Sequence, residues 1–68
     1  MSEAEIWIRR LEELKRAIEE GRRVLIGDTL VRKIEYMRTR RGGVVVIIND
    51  GEIIDYASRL LLRKIEIK

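Results

Sequence analysis

Val44 to Ile48 reads VVVII, five apolar residues without a break, and it runs directly into Asn49-Asp50-Gly51. A strand with one wet face alternates polar and apolar residues. A run with no polar partner asks to be covered on both sides, as strands in parallel sheets are. The residues after this run decide the fold, and two readings are open. Asp-Gly is a hairpin signal, so VVVII and EIIDYA could pair as antiparallel strands. Alternatively Asp50 caps a helix that starts where a buried strand ends. The first gives a helix plus a small antiparallel β-barrel, the second a layered α/β domain.

The rest of the chain favours the second. Ser2 and Glu5 have capping-box spacing, and Ile6, Leu11, Leu14, Ala17 and Ile18 follow as one stripe at helical period. Gly21 suits the end of that helix. Val24-Leu25-Ile26 is a second unbroken apolar run, with Asp28 or Thr29 standing where a helix cap belongs. In LVRKIEYMRTRR, Leu30, Val31, Ile34 and Met37 separate from Arg32, Lys33, Glu35 and Arg38 better at helical period than by alternation. Gly42-Gly43 ends that segment. Ile53, Ile54, Ala57, Leu60 and Leu61 again recur at helical spacing, and Lys64 to Lys68 alternates strictly, as an edge strand does. The pattern predicts one domain over residues 1–68, of three-layer α-β-α-β-α-β type with a small, mainly parallel three-stranded sheet. Two right-handed crossovers would then set Gly27-Asp28-Thr29 and Asn49-Asp50-Gly51 along one rim, where ligands bind in open α/β sheets.

Composition narrows the chemistry. The 68 residues contain no Cys and no His, which removes disulfides, the usual zinc sets and any imidazole base. Neither GxGxxG nor GxxxxGK[ST] occurs. Asp28 and Asp50 could share Mg²⁺ on the common rim, but helix capping alone explains both. The expectation is therefore no enzyme, no cofactor and no metal. No apolar run is long enough to span a membrane, and the polar start does not read as a signal peptide, so a cytoplasmic protein is expected. Six Glu fall in residues 1–20, whereas Arg22, Arg23, Arg32, Lys33, Arg38, Arg40 and Arg41 crowd the next stretch. Such a cluster can follow a phosphate backbone, or simply be a solvated face that complements a helix end. Abundant charge with a single Asn and no Gln fits a thermophilic protein and an idealised de novo sequence alike.

The segments EEGRRVLIGD, RRGGVVVIIND and Ile54-Asp55-Tyr56-Ala57-Ser58-Arg59-Leu60 resemble the kink-turn RNA-binding superfamily of archaeal and eukaryotic large-subunit ribosomal proteins, in particular its "thirty-e" branch. The resemblance covers most of this chain and about the first two-thirds of such a domain. It implies an α-β-α sandwich that grips RNA with the loop after the first strand and the start of the next helix. By position these are Gly27, Asp28 and Thr29, with Arg32 and Lys33 on the helix. Gly27 and Lys33 match the family's G-x-N-E-x-x-K, while Thr29 and Leu30 stand where it has Asn and Glu. The resulting expectation is a small basic nucleic-acid-binding module, RNA favoured over DNA. It would hold phosphates through Gly27, Asp28, Thr29, Arg32, Lys33, Arg40 and Arg41. The alternative is a structural, assembly or designed α/β protein with no ligand. Trp7 and Tyr56 could stack on bases, although covering a core edge explains both. Apolar Ile6, Trp7 and Ile8 in succession suggest a homodimer contact.

Overall fold

A computed structural model describes residues 2–68. The first helix is the one the sequence announces: α1 spans Glu3–Glu19, and the Ser2 hydroxyl accepts from the Glu5 amide. It ends in a Schellman arrangement, with Gly21 N–H donating to Ile18 O and Arg22 N–H to Ala17 O, both at 3.0 Å. The turn needs a residue at φ 81°, which Gly21 supplies without a Cβ clash. Ala4, Leu11, Leu14 and Ala17 form its buried face, with Trp7, Ile8 and Ile18 packed partly against the core. Ile6, placed on that stripe by the sequence, is instead exposed.

Beyond α1 the chain is antiparallel throughout, and the expected parallel α-β-α-β-α-β sheet is not formed. The strands are β1 (Val24–Ile26), β2 (Thr29–Val31), β3 (Ile34–Arg38), β4 (Val44–Ile48), β5 (Ile53–Tyr56) and β6 (Ile65–Ile67). They build two three-stranded sheets, ordered β2-β1-β6 and β3-β4-β5. Ile26 pairs with Thr29 around Gly27-Asp28, so these residues are a two-residue hairpin turn and cap no helix. Ile48 pairs with Ile53 across Asn49–Glu52, which answers the question raised by VVVIINDG in favour of the hairpin. The α-β-α sandwich implied by the ribosomal-protein resemblance is absent for the same reason.

Two expected helices are strands because of where the strands break. In β2 the inward residue is Val31; in β3 the inward residues are Ile34 and Tyr36. Arg32-Lys33 lies between, where the chain leaves one sheet for the other, and shifts the alternation by one residue. Val31 and Ile34 consequently sit three apart, a spacing that copies a helix. In the second case β5 turns its inward Ile53 into a single helical turn, α2 (Ala57–Leu60), whose buried Ala57 and Leu60 complete an apparent helical series.

The inner faces of both sheets, α1 and α2 share one apolar cluster. Leu11, Leu14, Val24, Ile26, Val44, Val46, Ile48 and Leu60 are its largest fully buried side chains. Each large one contributes about 1.5–3 kcal/mol by leaving water. VVVII is thus covered unequally: Val44, Val46 and Ile48 face this core, while Val45 and Ile47 are half-buried on the opposite face.

Candidate nucleic-acid interface

The sheet β3-β4-β5 has two ends, and charge is handled differently at each. At the Ile34/Ile48/Ile53 end stands Asn49, in the left-handed region at φ 51°. Asn tolerates that conformation better than most residues. Its side-chain oxygen accepts from Arg32 N–H at 2.7 Å and Lys33 N–H at 3.1 Å. Its amide donates to Leu30 O at 2.9 Å and to a Glu52 carboxylate oxygen at 2.8 Å. Asn49 N–H also donates to Lys33 O at 2.9 Å. The bend between the sheets is therefore tied to the β4–β5 turn by one residue.

The cations of that bend are matched. Lys33 Nζ lies 2.8 Å from Asp50 and 2.9 Å from Glu35, and Arg32 lies 3.9 Å from Glu52. The hydrogen bond to Asp50, followed by that to Glu35, holds the Lys33 ammonium well above the ordinary lysine range. These groups are exposed, so the pairs fix geometry more than they add stability.

At the opposite end the β3–β4 hairpin closes on itself. Thr39 N–H donates to Gly43 O at 2.9 Å, Gly42 N–H to Thr39 O at 3.1 Å, and Gly43 N–H to the Thr39 hydroxyl at 3.0 Å. Arg40 and Arg41 are exposed at its tip, between Arg38 at the end of β3 and Val44 at the start of β4. Tyr56 pairs with Val45 at the same end, and its ring edge lies about one van der Waals contact from where a Gly43 Cβ would be, at 4.0 Å. Arg59, three residues on in α2, shares a shallow groove with Val45, Ile54, Asp55 and Tyr56. Among the described residues, Arg38, Arg40, Arg41 and Arg59 take part in no ion pair. Asp55, which lines this groove, has a side chain only 20% exposed, bridges to Arg63 at 3.6 Å and accepts from Tyr56 N–H.

The residues expected to bind together are therefore separated by the fold. Gly27, Asp28 and Thr29 belong to the β1–β2 hairpin. They front no helix, so the amide donors of a helix N-terminus are not available there. Arg32 and Lys33 are engaged at the bend. Arg40 and Arg41 sit at the far end of the other sheet. Asp28 and Asp50 occupy turns of different sheets, and among the described residues no group of three or more carboxylates is gathered to hold a metal. Of the two aromatics considered for stacking, Trp7 packs on the core and Tyr56 is 52% exposed. The sequence alone does not single out Arg59; its one signal is a position one helical turn after an exposed Tyr.

Tyr36 shows the opposite fate for an aromatic. Its hydroxyl donates to the Glu12 carboxylate, and Lys15 Nζ lies 5.5 Å from its ring centroid, joining β3 to α1. That hydrogen bond keeps the Glu12 carboxyl below its ordinary range and raises the Tyr36 phenol. Among the described residues no helix is long and apolar enough to cross a membrane. Comparison of the chain with protein-family models, curated proteins and solved structures found no match.

Proposed function

We propose that this chain is a small nucleic-acid-binding module that holds a phosphate backbone at the Arg38/Arg40/Arg41/Arg59 end of the β3-β4-β5 sheet. The observation that carries this reading is the contrast in pairing: Arg32 and Lys33 have carboxylate partners, and these four arginines have none among the described residues. Like charges gathered without partners repel one another, and a polyanion relieves that repulsion while releasing its own counterions. Arginine also fits phosphate oxygens with a planar pair of donors. Gly27, Asp28 and Thr29 have no part in this version of the site, and the preference for RNA rests on the sequence resemblance alone.

The test is a fluorescence-anisotropy titration with labelled RNA and DNA at about 50 and 200 mM salt. Affinity is expected to fall steeply with salt. Replacing Arg40 and Arg41 by Ala should weaken binding to every sequence and flatten the salt slope by about one per arginine. No binding at the lower salt, or an Arg40→Ala/Arg41→Ala variant that binds like the parent, would leave a scaffold protein whose arginines are only solvated.

A further inference from the structure

We infer that the nucleic acid is single-stranded and that its bases lie on the outer face of the β3-β4-β5 sheet, with Tyr56 as the stacking platform. This rests on the nucleic-acid reading above. The pairing register makes the outer face a grid of two rows: Glu35, Ile47 and Ile54 in one, Met37, Val45 and Tyr56 in the other. All but Glu35 are apolar or aromatic, and no element among the described residues covers them: Met37, Ile54 and Tyr56 are 57%, 64% and 52% exposed. A folded chain this small gains by hiding such residues, so a contiguous uncovered grid marks a contact surface.

Its surroundings select the occupant. Unpaired Arg40 and Arg41 lie at the Tyr56 end of the grid, and Arg59 borders the groove beside Ile54 and Tyr56, while Arg38, paired with core-facing Val44, belongs to the inner face. A duplex offers phosphates to the arginines but keeps its bases stacked inside, leaving the apolar grid wet. An unpaired strand supplies both chemistries at once, a phosphate at each nucleotide and flat apolar base faces for Tyr56. A second copy of this chain fits less well. Packed face to face, it would have to answer these arginines with carboxylates of the same sheet and its turns, and Glu35, Asp50, Glu52 and Asp55 are already engaged by Lys33, Arg32 and Arg63.

The experiment compares a short, unstructured, fluorescein-labelled oligouridylate with a labelled RNA duplex of the same length. Both are titrated with the parent chain and with Tyr56→Ala, Tyr56→Phe and Arg40→Ala/Arg41→Ala variants, with circular dichroism to confirm folding. The single strand is expected to bind about tenfold more tightly than the duplex. Tyr56→Ala should remove about tenfold of that affinity without changing duplex binding, and Tyr56→Phe should keep it. Equal binding of both probes, insensitive to Tyr56→Ala but lost in the arginine variant, would overturn the base-stacking inference and leave the phosphate reading intact. Failure of both probes to bind would overturn that reading itself. A concentration-dependent dimer in sedimentation, abolished by Ile54→Asp, would make a second copy the occupant of the face.

Discussion

The two ends of the β3-β4-β5 sheet are built from the same materials, a turn and a few basic side chains, and treat them in opposite ways. At the Asn49 end every side-chain hydrogen-bonding atom of that residue is used, and Lys33 is shared between two carboxylates. At the Arg40 end the turn satisfies its own backbone, and the arginines are left to solvent. A charged cluster is informative only after its partners are counted. Both ends carry neighbouring basic residues in the sequence, and only one has charge to spare.

The contrast can be broken from either side. Reversing the open end should have the largest effect. An Arg40→Glu/Arg41→Glu variant is expected to lose nucleic-acid affinity by about 100-fold or more at low salt. Its melting temperature should stay within a few degrees of the parent, because surface substitutions of this kind change stability by about 0.5 kcal/mol. Anisotropy and thermal circular dichroism read the two quantities. If the variant unfolds, the hairpin is structural and the distinction between the ends disappears.

Next in size is Asn49→Ala at the clamped end. It removes four hydrogen bonds and leaves a left-handed backbone without its preferred residue, and should cost about 1–3 kcal/mol. The melting temperature would fall by about 5–15 °C, while affinity measured on the folded fraction stays the same. Unchanged melting would show that water replaces Asn49 without cost.

The Tyr36–Glu12 contact, which joins α1 to the edge strand β3 of this sheet, gives a smaller and pH-dependent effect. Because the Glu12 carboxyl is lowered in the fold, its contribution is present above the ordinary carboxylate range and lost as pH falls through its depressed value. The Tyr36 phenol is raised, so its contribution is present below the ordinary phenol range and lost as pH rises. Tyr36→Phe should reduce the part of the melting-temperature profile that falls off at both extremes. An identical profile would mean that the contact carries no stability.

The smallest effect belongs to Lys33→Ala. An exposed lysine between two exposed carboxylates is expected to leave the melting temperature close to that of the parent, because solvent screens such pairs. It should leave the salt dependence of binding untouched, since its charge is already matched. A salt slope reduced by about one would return Lys33 to the binding surface.

How much of the fold is legible in the sequence depends on how each segment buries itself. α1, β1, β4 and β6 are each a single element with one period, and each is recognisable as helix or strand. The stretch from Thr29 to Arg38 is not, because the bend at Arg32-Lys33 slips the inward residues from Val31 to Ile34. Ile53 to Leu60 misleads in a related way, as a strand of inward Ile53 hands over to a helical turn of inward Ala57 and Leu60. In both, two short elements imitate one helix of the right length. With the helices gone, the rim that would have gathered Gly27, Asp28, Thr29, Arg32 and Lys33 does not exist. Arg38, Arg40 and Arg41 stay together because they are neighbours along the chain, whereas Tyr56 and Arg59 join them only through the pairing of β4 with β5.

The self-closing hairpin at Thr39–Gly43 has a consequence for how such a chain could change. Its hydrogen bonds begin and end within the turn, so residues inserted between Arg40 and Gly42 would lengthen an arm without disturbing either sheet. The same insertion beside Arg32 would pull apart the contacts of Asn49. Variation in reach, and a new ligand with it, has an inexpensive address at this turn.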